Sequence, residues 1–74
     1  MWYYRSSAGL LRIVRDPEGI YQFRFGDDDT EWTGHADPRA LADDVYNHAT
    51  GYLEWDSSGA DAPQDLSEWI YVRD

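Results

Sequence analysis

The sequence predicts a small α+β domain, with one helix packed on an antiparallel sheet of three or four strands. Two observations carry this prediction. The first third alternates apolar and polar residues with the period of a strand, and a later segment repeats its apolar residues every three to four positions. Twelve aromatic residues among 74 give so short a chain enough large side chains for a core. We therefore expect residues 1–74 to form a single domain.

The N-terminal strands are predicted as a meander. Residues 2–5 form the first candidate strand, and Gly9–Arg15 alternates with Leu11 and Ile13 on one face. Residues 16–19 read Asp-Pro-Glu-Gly, a turn sequence in which proline presets the second position and glycine accepts a positive φ. Residues 20–25 alternate again and complete a hairpin.

A helix is predicted over about residues 38–50. Asp37 is a good N-cap, Pro38 suits the first helical position, and Gly51 provides a stop signal. An apolar stripe runs along it, formed by Leu41, Val45, Ala49 and Tyr52.

Shorter elements flank this helix. Residues 30–33 are a candidate fourth strand, and residues 52–55 are expected to be extended or turning. Residues 56–64 have the composition of a surface loop. Residues 65–69 predict one helical turn, with Trp69 docking on the body of the domain.

Charge is the most unusual property of the chain. The chain contains fifteen acidic residues, six arginines and no lysine, which gives a net charge of -9. The excess negative charge is unevenly distributed along the chain. Residues 1–25 contain four arginines and two acids, whereas residues 26–74 contain two arginines and thirteen acids. We expect an electrically two-sided protein that does not itself bind nucleic acid.

Several classes of site are disfavoured. Without cysteine there is no disulfide, thiolate metal site or cysteine nucleophile. Asp27 begins a run resembling a calcium loop, but the positions that need glycine and glutamate hold Trp32 and Pro38. We expect no metal, no cofactor and no catalytic residues. The alternative, a general base or metal pair from Asp44 and His48 one helical turn apart, stays open, and His35 could join it.

No apolar run is long enough to predict a membrane span, and residues 1–5 lack the pattern of a secretory signal. We therefore expect a cytoplasmic location.

The stretch from residue 42 to residue 56 reads A-D-D-V-Y-N-H-A-T-G-Y-L-E-W-D. It resembles a motif, A-D-D-V-Y-x-H-x-T-G-x-x-E-W-D, of a group of short uncharacterised bacterial proteins. The likeness extends loosely over about residues 3–69. It implies the same order of N-terminal strands followed by a helix, and it implies no activity.

The acids interleave with aromatics, as at interfaces where charged rims surround aromatic anchors. We therefore expect an acidic surface that binds a basic nucleic-acid-binding protein or complex. The candidate acidic contacts are Asp27, Asp28, Asp29, Glu31, Asp43, Asp44, Glu54 and Asp56, and the candidate aromatic anchors are Trp32, Tyr46 and Trp55.

Small acidic inhibitors that mimic the charge of nucleic acid, such as anti-CRISPR or anti-restriction proteins, are the functional class to which this composition is analogous. The alternative is a bacterial housekeeping adaptor or homodimer whose acidity serves only solubility. The oligomeric state is not fixed by the sequence.

Overall fold

The computed structural model describes residues 1–27 and 34–73, and within them it confirms the α+β class. A five-stranded antiparallel sheet has the order β4-β3-β2-β1-β5, so it contains more strands than the three or four predicted. The strands are β1 (Trp2–Ser6), β2 (Gly9–Arg15), β3 (Tyr21–Phe25), β4 (Gly34–His35) and β5 (Ile70–Tyr71). Two α-helices, α1 (Pro38–Tyr46) and α2 (Leu53–Asp56), and a 3-10 helix (Leu66–Glu68) accompany the sheet.

The predicted hairpin turn between β2 and β3 is organised by Asp16. Its backbone carbonyl accepts from the N–H of Gly19, which has a φ of 86°, and its side chain accepts from the N–H groups of Glu18 and Ile20. The carboxylate thereby satisfies turn N–H groups that no ladder partner reaches.

The core lies between one face of the sheet and the helices. The register places Tyr4 opposite Leu11, Leu11 opposite Phe25, and Ile13 opposite Phe23, so these side chains share a face. The core consists of Leu11, Ile13, Phe23, Leu41, Ala42, Val45, Tyr52, Trp55, Ala60, Leu66 and Trp69. Burial of Trp69 confirms the predicted docking after the helical turn at residues 65–69.

Helix α1 ends at Tyr46, earlier than the predicted limit near residue 50. Its last carbonyls accept in the pattern of a Schellman motif: the N–H of His48 donates to Val45 and that of Ala49 to Asp44. His48 occupies the left-handed position, with a φ of 56°, where glycine is usual. The stop expected at Gly51 is therefore wrong, and Ala49 is exposed rather than part of the apolar stripe.

The edges of the sheet were less predictable. The expected fourth strand at residues 30–33 lies outside the described residues, and β4 pairs with β3 from Gly34 onward. A Cβ at Gly34 would come within 2.9 Å of the Ile20 side chain, so this strand needs glycine there. Strand β5 was not predicted; it adds to β1, and residues 52–55, expected to be extended or turning, mostly form α2.

The arginines of the meander lie mostly on the face of the sheet that the helices leave uncovered. Arg12 pairs with Arg24 across β2 and β3, and Arg5 lies on the same face because it has the same strand parity. The acids of α1 and of the segment after it lie on the opposite side of the sheet, in line with the expected two-sided charge distribution.

Candidate docking surface

Helix α1 turns one stripe toward the core and another outward. Leu41, Ala42 and Val45 are fully buried, whereas Arg39, Asp43 and Tyr46 are exposed at the spacing that aligns helical side chains. Asp37 begins the helix as predicted, because its carboxylate accepts from the backbone N–H of Arg39 at 2.9 Å.

The 3-10 helix lies beside α1 and is fixed in a similar way. The carboxylate of Asp65 accepts from the N–H of Ser67 at 3.0 Å, and Leu66 is buried against the core. Glu68 remains exposed on the outer side. Burying Leu66 and Trp69 therefore brings two more acids, Asp65 and Glu68, next to α1.

A shallow groove of about 570 Å³ runs between α1 and the 3-10 helix and opens to solvent. We call it the acidic groove. Four carboxylates and one guanidinium line it, together with three neutral residues: Asp37, Arg39, Ala40, Asp43, Gln64, Asp65, Leu66 and Glu68. The acidic groove therefore carries a net negative charge, and Ala40 and Leu66 are its apolar lining residues.

The carboxylates of this groove differ in their bonding. Those of Asp37 and Asp65 accept from helix N–H groups, whereas those of Asp43 and Glu68 make no hydrogen bond or ion pair within residues 1–27 and 34–73. Such carboxylates are hydrated when the protein is free. They can pair with an incoming Lys or Arg without breaking an existing intramolecular contact.

The other predicted acidic contacts are distributed around the molecule. Glu54 is exposed on α2 and Asp27 is exposed after β3, and neither lines the groove. Four further predicted contacts, Asp28, Asp29, Glu31 and Trp32, lie outside the described residues. Among the predicted acidic contacts that the structure describes, Asp43 is the member that lines the acidic groove.

Asp44 pairs with His35, which the sequence hypothesis named as an additional member, and not with His48. Its Oδ2 lies 2.7 Å from Nε2 of His35, and about a third of each side chain is exposed. This contact ties β4 to α1. His48, the expected partner, instead donates from Nδ1 to the carbonyl of Trp55 at 3.0 Å, because the chain has already left the helix there.

The His35–Asp44 pair holds an imidazole in a fixed orientation. Within the part of the chain that the structure describes, no group of three His, Cys, Asp or Glu side chains could hold a metal ion. The contact joins β4 to α1 across their side chains.

Asp56 has a structural role that sequence reasoning missed. Its Oδ1 accepts from the N–H and the hydroxyl of Thr50 at 3.1 and 2.8 Å, and its Oδ2 accepts from the N–H of Gly51 at 2.9 Å. The carboxylate is therefore directed into its own loop, where it replaces the ladder or helix partners that these groups lack.

The aromatic anchors have different environments. Trp55 has no exposed surface, and its Nε1 donates to the carbonyl of Val45 at 2.9 Å. Its prediction as a surface anchor is wrong, because the ring fills the core beneath α1. Tyr46 is 42% exposed and adjoins the outer stripe of α1, where it can still be an anchor.

Three of the four acids that line the acidic groove were absent from the candidate contact residues: Asp37, Asp65 and Glu68. The sequence signal for the first two was their capping position, which indicates where a helix begins but not what it lies beside. Their convergence depends on the packing of Leu66 and Trp69, which no local pattern specifies.

Among the described residues, no helix has both the length and the apolar character needed to cross a membrane. Comparisons with protein-family models, with curated proteins and with solved structures found no match. The resemblance to short bacterial proteins through the motif at residues 42–56 therefore stays an expectation.

Proposed function

We propose that this protein is a non-enzymatic acidic interaction module that binds a basic nucleic-acid-binding protein or complex. In its most concrete form it is an inhibitor that occupies a cationic nucleic-acid channel by mimicking phosphate charge, as anti-CRISPR and anti-restriction proteins do. The observation that carries the proposal is the acidic groove, in which carboxylates from two separate elements converge. Three arginines of the meander, Arg5, Arg12 and Arg24, lie on the opposite face of the sheet.

Electrostatics favours such a partner. A groove with four carboxylates and one guanidinium attracts a Lys- or Arg-rich surface and steers its approach. The carboxylates of Asp43 and Glu68, which have no hydrogen bond or ion pair within the described residues, can pair directly with Lys or Arg of the partner. Tyr46 adds an exposed ring beside Asp43, as expected for an anchor surrounded by charges.

The cytoplasm is the location that fits this proposal, because nucleic-acid-processing complexes work there and the chain has no cysteine to oxidise. The proposal assigns no cofactor, metal or catalytic residue.

The test is competition with DNA for a purified RNA-guided nuclease, whose guide–target duplex lies in a positively charged channel. The double variant Asp43→Arg with Glu68→Arg reverses two groove charges. We expect it to lose inhibition and to show a flatter dependence of affinity on salt than the wild type.

The matched control is Glu18→Arg with Asp61→Arg, which changes the net charge equally at exposed acids outside the groove. The control should inhibit nearly as well as the wild type. Equal losses in both double variants would mean that net charge alone matters, and full inhibition by a folded groove variant would refute the proposal.

A further inference from the structure

Strand β5 exposes an unusual run of apolar residues at one edge of the sheet. Ile70 is 53% exposed, Tyr71 is 58% exposed and Val72 is 40% exposed. Three of the five exposed large hydrophobic residues in the described part of the chain thus follow one another in β5 and the residue after it, at an edge of the sheet. Edges of this kind are templates for pairing with another strand.

The hydrogen bonds to β1 show which backbone groups of β5 face outward. Met1 and Val72 exchange both bonds, from the N–H of Val72 to Met1 at 2.7 Å and from the Met1 ammonium to Val72 at 2.9 Å. Bonded and non-bonded pairs alternate in an antiparallel ladder, so Tyr3 and Ile70 form the next bonded pair. The N–H and C=O of Tyr71 therefore point away from β1, toward the free edge.

We propose that this edge binds a second copy of the same chain, with the two β5 strands antiparallel about a two-fold axis through Tyr71. The outward N–H and C=O of the two Tyr71 residues then form one bonded pair across the axis. The two five-stranded sheets become one continuous sheet.

The side chains of β5 are complementary to themselves in this register. Ile70 of each copy lies opposite Val72 of the other, so each exposed aliphatic residue gains an apolar cross-strand partner. The two Tyr71 rings meet on the other face, where each already lies 5.0 Å from the ring of Trp2. Arg73 comes opposite Trp69 of the second copy, next to its Glu68, which supplies opposite charges at each end of the contact.

Two effects limit the strength of this dimer. The paired strands are short, so the buried area falls below the roughly 1,200 Å² of stable interfaces and the dimer is weak. Each copy also carries a net charge of -9, and their repulsion is screened as the Debye length falls from about 10 Å at 0.1 M salt to about 3 Å at 1 M. Association by β5 should therefore strengthen with salt, the opposite of binding through the acidic groove.

Sedimentation equilibrium of the intact protein tests the proposal. The mass should rise from that of the 8.6 kDa chain toward twice that value with concentration, and the association constant should increase roughly threefold or more between 0.1 and 1 M salt. Val72→Lys should abolish association, because it places an ammonium opposite Ile70 of the second copy. Leu53→Lys, at a 78% exposed apolar residue away from the edge, should leave it unchanged.

Amide hydrogen exchange of the wild type provides a readout that needs no variant. The Tyr71 amide should exchange several-fold more slowly at high than at low protein concentration, whereas the amides of Ile70 and Val72 are protected within the monomer already. The proposal would be overturned by a protein that stays monomeric at high salt. It would also be overturned if the exchange rate of the Tyr71 amide did not depend on protein concentration. Equal loss of association in Val72→Lys and Leu53→Lys would overturn it as well.

Discussion

The imidazole of His48 lies flat on the indole of Trp55, with ring centroids 4.6 Å apart and an interplanar angle of 16°. His48 makes this stack from a left-handed backbone conformation, and its Nδ1 also donates to the carbonyl of Trp55. The indole in turn donates to Val45 in the last turn of α1. The end of the helix is thereby fixed to the segment that follows it.

His48 variants should separate backbone strain from stacking. His48→Val puts a β-branched residue at a positive φ, which costs about 1–3 kcal/mol, and it loses the stack, worth about 0.5–1.5 kcal/mol. His48→Asn tolerates the left-handed region and loses only the contacts of the ring. Urea unfolding should therefore show a clearly larger loss for valine than for asparagine; equal losses would mean that the backbone conformation matters little.

Asp56→Ala should lower the free energy of unfolding by about 1–3 kcal/mol, because it removes the acceptor of three hydrogen bonds from Thr50 and Gly51. Glu54→Ala is the charge-matched control. Glu54 is exposed two residues earlier on α2, and its carboxylate accepts no hydrogen bond within the described residues, so the substitution should change the free energy of unfolding by no more than about 0.5 kcal/mol. Chemical denaturation of both variants provides the comparison, and similar stabilities would contradict the structural role of Asp56.

Two buried tryptophans, Trp55 and Trp69, should respond differently to replacement by phenylalanine. Trp55→Phe removes the hydrogen bond from the indole to the carbonyl of Val45, which still accepts from the N–H of His48, and this adds about 0.5–1.5 kcal/mol to the packing loss. The Nε1 of Trp69 is buried without a hydrogen-bond partner in residues 1–27 and 34–73, so Trp69→Phe removes an unsatisfied donor. We expect Trp69→Phe to lower the melting temperature less than Trp55→Phe. The reverse order would show that the packing of the ring, and not the hydrogen bonding of the indole N–H, determines the loss of stability at both sites.

The fold was predictable where local rules and tertiary packing agree. Alternation in β2 and β3, the turn begun by Asp16, and the Asp37–Pro38 start of α1 all have local causes. The end of α1 was not predictable in this way, because His48 takes the position where glycine usually terminates a helix. Its stack on Trp55, seven residues later, is a tertiary contact that offsets the strain.

Dependence on tertiary contacts also limits how much of the candidate site can be predicted from the sequence. His48, Thr50, Trp55 and Asp56 belong to the motif at residues 42–56, and in the structure His48 contacts Trp55 and Thr50 contacts Asp56. Its acids and aromatics suggested an interface, yet Trp55 and Asp56 serve the loop itself. The acidic groove instead joins residues far apart in sequence, such as Asp43 and Glu68, through the packing of the 3-10 helix on α1.

Asp16 should make the stability of the β2–β3 hairpin depend on pH. The pKa of its carboxyl is lowered from the usual 3.8, chiefly by the hydrogen bond from the backbone N–H of Ile20, with smaller contributions from Gln22, Glu18 and Gly19. A carboxyl whose pKa is lower in the folded than in the unfolded chain binds protons more weakly when folded. Its stabilisation is complete above the unfolded pKa and is lost as the pH falls through the folded value.

Asp16→Asn isolates this contribution, because the amide keeps one acceptor oxygen for the N–H of Ile20 but cannot ionise. The wild type should be more stable than the variant near neutral pH, and the difference should shrink as the pH falls below about 4. Urea unfolding followed by tryptophan fluorescence, with both proteins measured at each pH, cancels the titration of the other acids. Because those acids are common to both proteins, a difference that stays constant down to the acid transition would mean that the charge of Asp16 does not hold the turn.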